Sequence, residues 1–172
     1  MAATSWDPNQ PQFYGTGSMP KIVYQGLEAN SQSFKAGSVV YANSGAITAC
    51  AADAVNILGI AMVDATNVTS GNIEIPVMVF EPHTLLRMKV TSGATEATNS
   101  ETSTAPFVKY APYVDANGVL KLDTADTGVA TKNSLIFIQG IRDVNGDATA
   151  WAEVKIASHA LAAGGIDPEI ET

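Results

Sequence analysis

Short runs of alternating apolar and polar residues follow one another from residue 21 onward, and glycine or asparagine separates many of them. Alternation with a period of two predicts β-strands, because successive side chains of a strand point to opposite faces. "GSVVYA" and "GAITAC" flank "NSG", in which Asn43 and Gly45 can take the positive φ angles of a tight hairpin turn. The pattern therefore predicts a hairpin here.

The other runs of the first half predict further strands. "NILGIAMV" is apolar on both faces, and Gly59 in its middle indicates a bulge or a closely approaching backbone. "GNIEIPVMVFE" alternates, but Pro76 cannot donate a ladder hydrogen bond, so we expect this strand at a sheet edge or with a bulge. In "TLLRMKV" the inward-facing residues are Leu86, Met88 and Val90, and the outward-facing ones are Arg87 and Lys89.

The second half repeats the hairpin pattern. "PFVKYAPYV" and "VLKL" are joined by "DANG", where Asn117-Gly118 predicts a turn of the mirror-image type. "SLIFIQGI" is apolar on both faces and is predicted to be a central strand. Asn145-Gly146 predicts another hairpin. Its return strand places Trp151, Glu153 and Lys155 on one side and Ala152, Val154 and Ile156 on the other.

These runs predict an all-β protein, either a small β-barrel or a β-sandwich with hairpins. Only "ASHALAAGG", residues 157–165, has the pattern of a helical turn, which the two glycines at its end would stop. We therefore expect at most one short helix, near the C-terminus.

The chain divides into five predicted segments. Residues 1–20 form an extended N-terminal arm, broken by three prolines and two glycines but containing Trp6, Phe13 and Tyr14. This arm packs either on a partner or back on its own body, and its three aromatics are the candidate contact residues. The others are a barrel-like domain at 21–90, a polar exposed loop at 91–104, a second β subdomain at 105–160 and an acidic tail at 161–172.

Charge and composition exclude several classes of function. The 172 residues carry a net charge of -8, with 17 acidic and 9 basic side chains, and the basic ones are scattered singly. Nucleic-acid binding needs clustered Lys and Arg, so no direct contact with DNA or RNA is expected. The same charge argues against contact with an anionic membrane, and no apolar run reaches the roughly 18 residues of a membrane span, so no membrane partner is expected. "MAATSWDPNQPQ" does not have the pattern of an export signal, so we expect synthesis in the cytoplasm.

No residue cluster predicts catalysis. Cys50 is the only cysteine and lies in "TACAADA", where a small buried hydrophobe is expected. His83 follows Glu81 in "EPHTLL", yet a His at a bend between strands is more often structural than a general base. His159 has no acid or nucleophile near it in sequence. Phosphate-binding, dinucleotide, zinc-protease and hydrolase motifs are also missing from the sequence, so we predict no catalytic residue and no cofactor.

One segment begins as calcium loops do. Asp143, Asn145 and Asp147 alternate in "DVNGDAT", but a full loop needs Gly at its sixth position and Glu at its twelfth. Those positions hold Ala148 and Val154, so a hairpin turn explains the residues and no metal site is predicted.

Residues 34–90 resemble a known family. "AGSVVYANSGAIT" as a first hairpin, "ILGIAMVDA" as a returning strand and "SGNIEIPVMV" after a glycine turn are similar to the small β-barrel of capsid decoration, or cement, proteins of tailed bacteriophages. This is the broad group that contains the lambda-type head decoration protein. The resemblance covers about a third of the chain, and residues 105–157 do not share it.

The resemblance implies a structural protein without cofactor or chemistry, made in the host bacterial cytoplasm and located on the outer surface of the virion. Its partner would be the major capsid protein of an expanded icosahedral shell, which it would bind as a homotrimer and stabilise by clamping neighbouring subunits. The arm, Trp6 to Tyr14, would lie on the shell or on a neighbouring subunit.

Two other classes stay open from the residues alone. One is a different virion or cell-surface binding module, such as a head-fibre base or a carbohydrate-binding β-sandwich. The other is a β-fold enzyme, for example a trimeric hydrolase, which would require side chains such as His83, Asp115 and Asp143 to converge in one pocket.

Overall fold

The computed structural model describes residues 10–13, 23–51, 54, 56–69, 73–81, 84–93, 95–96, 107–116, 118–125, 135–141, 150–157 and 161. Within this described part every regular element is a β-strand, which confirms the predicted all-β class. The strands are β1 (Gln12–Phe13), β2 (Val23–Leu27), β3 (Val39–Asn43), β4 (Ala46–Ala49), β5 (Ile57–Ala61), β6 (Glu74–Val79), β7 (Leu85–Ser92), β8 (Thr95–Glu96), β9 (Lys109–Val114), β10 (Leu120–Asp123), β11 (Leu135–Ile141) and β12 (Trp151–Ile156).

Five strands form the first sheet, in the order β2-β6-β5-β3-β4, and every pair in it is antiparallel. A parallel bridge between Glu28 and Ile47 joins the end of β2 to β4, and Ala29 N donates to Ile47 O at 2.8 Å. The sheet therefore curls around its own apolar core. That core consists of Phe34, Val40, Ile47, Leu58, Ala61, Ile75, Val77 and Val79.

The second sheet closes into a barrel, because β7 pairs with β10 on one edge and with β12 on the other. The ring runs β7-β10-β9-β11-β12 and returns to β7; only the β7–β10 contact is parallel. β11 lies between β9 and β12, which confirms the predicted central strand. The inward-facing residues predicted for β7, Leu86, Met88 and Val90, are all buried in the core. In β12, the side of the strand that carries Ala152, Val154 and Ile156 is the one that faces this core.

The two sheets share one core. Side chains on the outer face of the first sheet pack against the barrel of the second, among them Val39, Ile57 and Ile60. Phe80, in the connection between β6 and β7, belongs to the same cluster and is buried. The described residues thus pack as one body rather than as two independent domains.

Gly59 lies at a bulge in β5. The pairing with β3 passes from Val40 opposite Gly59 to Tyr41 opposite Ile57, so one residue of β5 is left over. A β-carbon at Gly59 would lie 2.0 Å from the carbonyl oxygen of Met78 on β6. Both expectations for this glycine, a bulge and a close backbone, are confirmed.

Pro76 does not mark a sheet edge, and that prediction is wrong. Its strand, β6, lies between β2 and β5, and its pairing registers show no bulge. Pro76 O accepts a hydrogen bond from Met62 N at 2.9 Å, just beyond the end of β5. The missing N–H of Pro76 is therefore opposite a residue beyond the end of β5. The internal strand β6 thus accommodates the proline with the loss of only one hydrogen bond, at the end of the β5–β6 ladder.

In the predicted hairpin between β3 and β4 the positive φ angles belong to Ser44 and Gly45, not to Asn43, which is still paired with Ala46. Between β9 and β10, Asp115 N donates to Val119 O at 3.1 Å, Gly118 N donates to Asp115 O at 2.9 Å, and Gly118 has a φ of 75°. Asn117 lies outside the described residues, so the mirror-image turn predicted for Asn117-Gly118 stays a prediction.

The boundaries of the predicted segments shift. β7, assigned to the domain at 21–90, is a strand of the second barrel, so the two sheets meet between β6 and β7. The predicted exposed loop begins as a hairpin, in which Thr91 pairs with Glu96 and Ser92 with Thr95. Thr91 is buried, and its hydroxyl lies 2.6 Å from Thr95 O. A polar side chain can be buried in a tight turn when a backbone carbonyl accepts its proton.

Candidate protein-binding surface

An apolar surface lies on the outer face of the first sheet. In β6, Ile75, Val77 and Val79 point into the core of that sheet, so the alternate residues point outward. Residues directly opposite each other share a face, and the register therefore adds the matching residues of β2. The outward pairs are Val23 with Met78, Gln25 with Pro76, and Leu27 with Glu74.

We call this surface the β2 face and define it by Val23, Gln25, Leu27, Met62, Pro76 and Met78. Met62 joins it because its N–H binds Pro76 O. Val23, Leu27 and Met62 are 50%, 56% and 40% exposed, and Pro76 and Met78 are half-buried. Glu74, at one end, is the nearest charged residue along these two strands. Adjacent exposed apolar side chains on a folded body are typical of a binding surface.

In the described part of the chain, no strand pairs with the edge of β2 next to this surface between Val23 and Gln25. Glu28 N donates to Ile73 O at 3.0 Å, so every second residue of β2, counted back from Glu28, is hydrogen-bonded to β6. The backbone N–H and C=O groups of the alternate residues Val23 and Gln25 therefore point away from β6. Among the described strands, only β4 reaches this side of β2, and its bridge is at Glu28. An uncharged open edge can accept a strand from another chain.

Of the predicted contact residues, Phe13 packs on its own chain. It pairs with Leu86 of β7, and its ring meets that of Phe80 edge-on at a centroid distance of 6.1 Å. Residues 10–13 of the arm therefore fold back on the body, which is one of the two alternatives for this segment. Trp6 and Tyr14 lie outside the described residues.

The residues considered for chemistry do not form a site in the described part. Cys50 is buried, and burial raises the pKa of its thiol from 9.0 to about 12, which keeps it protonated and unreactive at neutral pH. Asp115 caps its own turn by accepting from Val119 N and pairs with Lys121 at 3.0 Å. His83, Asp143, Asn145, Asp147 and His159 lie outside the described residues.

In the part of the chain that the structure describes, no group of three His, Cys, Asp or Glu side chains is arranged to hold a metal ion. Nor does any helix in the described segments have the length and apolarity to cross a membrane.

The outer face of the second barrel carries a polar layer. Arg87 and Lys89 lie over the ring of Trp151, at 4.8 and 5.7 Å from its centroid, as cation–π pairs. Gln139 Nε2 donates to Glu153 Oε2 at 2.7 Å. Lys89 points away from the core as predicted, yet it is buried, which the alternation of the strand could not indicate.

Sequence reasoning missed the β2 face. Val23, Leu27 and Met62 occur in ordinary apolar runs, and only the register of β2 on β6 places them together. The comparisons with known proteins add nothing to this picture: no protein-family model matches the chain, and no curated protein matches it.

Proposed function

We propose that this chain is a structural virion protein that binds the outer surface of an expanded icosahedral phage capsid and clamps neighbouring major capsid subunits. The observation that carries the proposal is the β2 face, an exposed and largely apolar surface beside a strand edge that no other described strand covers between Val23 and Gln25. The resemblance of residues 34–90 to capsid decoration proteins supports the same function.

The β2 face has the physical properties that such a contact needs. Full burial of a Val, Leu or Met side chain contributes about 1.5–3 kcal/mol, so three that are roughly half exposed could add about 3 kcal/mol on binding. Backbone hydrogen bonds along β2 would fix the orientation of the partner segment.

A trimer on the shell would strengthen this modest contact. Three copies held together convert the second and third contacts into intramolecular events, so weak single contacts become a stable attachment. The net charge of -8 on the chain also favours a protein partner over packaged nucleic acid.

Co-sedimentation with undecorated expanded capsids of the phage that encodes the chain tests both the function and the surface. Wild-type protein at micromolar concentration is expected to pellet with the capsids. The double variant Val23→Asp, Leu27→Asp is expected to stay in the supernatant, because two carboxylates would be desolvated at the contact. The matched control is Phe107→Asp, which changes an exposed apolar residue, 74% accessible, outside the β2 face.

The outcomes separate the two parts of the proposal. If wild-type protein does not pellet, capsid binding is wrong. If the double variant pellets as well as Phe107→Asp does, the function stands and the β2 face is not the contact. Circular dichroism and thermal melting of all three proteins confirm that the variants remain folded.

The contribution of the arm to capsid binding is tested with a truncation that removes less than the predicted arm at residues 1–20. Gln12 and Phe13 are paired with β7, so removal of the whole arm would damage the barrel. A chain that begins at residue 10 leaves that pairing intact. If Trp6 contributes to the capsid contact, this chain should bind more weakly than the full-length one.

A further inference from the structure

Two methionine side chains, those of Met62 and Met78, are neighbours on the β2 face, and we call them the methionine pair. Ala61 pairs with Val77, and the next position brings Met62 opposite Pro76, whose carbonyl oxygen accepts from Met62 N at 2.9 Å. Met78 is two residues further along β6, so its side chain points to the same outward face. Diagonal neighbours on adjacent strands are about 7–8 Å apart, which is within reach of long side chains.

The exposure of this pair differs from that of Met88, the other methionine in the described part of the chain. Met62 is 40% exposed and Met78 is half-buried, whereas Met88 is 0% exposed and lies in the core that the two sheets share. A dissolved oxidant has to reach the sulfur atom before it can react, so access decides which methionine is oxidised. We expect a peroxide to reach Met62 most readily, Met78 less readily and Met88 hardly at all.

Cys50, the only cysteine of the chain, does not compete for the oxidant. Its side chain is buried, and burial raises the pKa of its thiol to about 12. The thiol therefore stays protonated at neutral pH, whereas the thiolate is the form that reacts. In the described segments, the sulfur atoms open to an oxidant are thus those of the methionine pair.

Oxidation of a methionine adds one oxygen atom to its sulfur. A lone pair of the thioether sulfur attacks the terminal oxygen of a hydroperoxide, an S–O bond forms and the O–O bond breaks. A proton moves to the departing oxygen, which leaves as an alcohol, or as water when the oxidant is hydrogen peroxide. The sulfur loses two electrons and the peroxide gains two. The product, a sulfoxide, is polar where the thioether was apolar.

A sulfoxide weakens any contact that the β2 face makes through apolar burial. Met78 lies directly opposite Val23, and both belong to the apolar surface that a partner would cover. A thioether loses little when its water is removed, but a sulfoxide oxygen is a strong hydrogen-bond acceptor that has to be desolvated. Oxidation of the methionine pair therefore opposes docking, while the buried core around Met88 keeps its composition.

We propose that Met62 and Met78 form an oxidation site that regulates docking at the β2 face: a hydroperoxide converts them to sulfoxides and docking is lost. The effect on attachment to capsids rests on the proposed function. The selectivity of the oxidation and the loss of apolar character of the surface do not. Sulfoxides are reduced back to thioethers by methionine sulfoxide reductases, so the modification is reversible.

Two measurements on the free, full-length protein test the site without capsids. Peptide mass spectrometry during treatment with hydrogen peroxide should show Met62 oxidised at least about tenfold faster than Met88. Hydrophobic-interaction chromatography should show that treated wild-type protein elutes earlier than untreated protein. The double variant Met62→Leu, Met78→Leu has no sulfur at either position, so its elution should not change on treatment.

Each protein is compared with its own untreated form, so that any effect of the substitutions themselves cancels. Equal oxidation rates at Met62 and Met88, or an equal change of elution in wild type and variant, would overturn the proposal. Loss of the native circular dichroism spectrum at the rate of Met62 oxidation would also overturn it, because oxidation would then act through unfolding.

Co-sedimentation with undecorated expanded capsids tests the effect on attachment. Treated wild-type protein should bind at least about tenfold more weakly than untreated protein, and the reductases should restore binding. For the double variant, treatment should leave the ratio of treated to untreated binding near one. The variant retains Met1 and Met19, so an equal loss in both proteins would place the effect outside the β2 face and reject the proposal. Unchanged binding of treated wild type would reject it as well.

Failure of the proposed function gives a different result. If untreated wild-type protein does not pellet, capsid binding is wrong, and the oxidation rates and the chromatography still decide whether the methionine pair is the oxidation site.

Discussion

Gly59 on β5 lies against the backbone of Met78 on β6, so closely that a β-carbon at position 59 would be 2.0 Å from the carbonyl oxygen of Met78. No side chain can occupy that space without displacing the backbone of a central strand. The bulge beside Gly59 lets Ile57 and Ile60 both reach the core that the two sheets share. One glycine thus controls how the first sheet packs on the second.

We predict that Gly59→Ala lowers the free energy of unfolding by about 3 kcal/mol, because β5 and β6 must separate. Urea unfolding followed by circular dichroism measures the loss. The control is Gly45→Ala, whose β-carbon would meet no atom within 4 Å but whose φ is 84°. It should cost only about 1–2 kcal/mol. Equal losses in the two variants would contradict the close contact.

Phe80→Ala should destabilise both sheets together. The ring is buried in the shared core and contacts Phe13, so its removal is expected to cost about 3–5 kcal/mol. Unfolding should remain a single transition in both far-UV circular dichroism and tryptophan fluorescence, because residues of both sheets form the core cluster that contains Phe80. Phe107→Ala, at an exposed position, should cost less than about 0.5 kcal/mol. Two separate transitions in the wild type would show that the sheets unfold independently.

Cys50 should make stability fall at alkaline pH. Burial raises the pKa of its thiol from the ordinary value of 9.0 to about 12 in the folded state. The stability that the buried, protonated thiol contributes is fully present below pH 9. Above pH 9 the thiol of the unfolded state loses its proton before that of the folded state does. Stability should therefore drop by about 1.4 kcal/mol per pH unit until the folded thiol ionises. Urea unfolding of wild type and Cys50→Ala at pH 8 and pH 10 isolates the effect; a constant difference between the two proteins would contradict it.

Asp64 should contribute more to the free energy of unfolding than Lys35, the lysine with which it pairs. Its carboxylate accepts from Ala36 N at 2.9 Å and from Lys35 Nζ at 3.1 Å; the backbone bond is the main cause that lowers its pKa. Asp64→Ala leaves the Ala36 N–H unpaired and should cost about 1–2 kcal/mol. Lys35→Ala removes only an exposed ion pair and should cost less than about 0.5 kcal/mol.

The dependence of stability on pH in the acid range gives a second test of the contribution of Asp64. Because its folded pKa is lowered, its contribution is present above its ordinary pKa of 3.8 and is lost as pH falls through the lower folded value. Wild type and Asp64→Ala should therefore converge in stability as the pH falls below 3.8. A gap that persists at pH 2 would mean that the carboxylate charge contributes nothing.

The sequence predicted local features well where a residue type has a single structural role. Alternating and continuous apolar runs identified most strands of both sheets, and Gly59 indicated its own close contact. The two-residue strands β1 and β8 were not predicted, because they lie in the arm and in the polar loop. Pro76 misled the prediction, because the chain does not reveal that β5 ends opposite it. The position of β7 in the second barrel was equally hidden, since strand pairing across long separations depends on the whole fold.

The candidate surfaces were harder to predict than the strands. Val23 and Leu27 look like ordinary strand residues, and only their pairing with β6 shows that they face away from the core. Met62 and Met78 belong to separate runs of the chain, and only the pairing of β5 with β6 makes them neighbours. Both features depend on contacts between segments far apart in sequence, which composition and periodicity do not contain.

Electron cryomicroscopy of undecorated expanded capsids incubated with the protein tests the central claim most directly. The account predicts additional density on the outer surface of the shell, at the junction of neighbouring capsid subunits, with the β2 face turned toward the shell. Capsids that remain bare at micromolar protein concentration would contradict the proposed function.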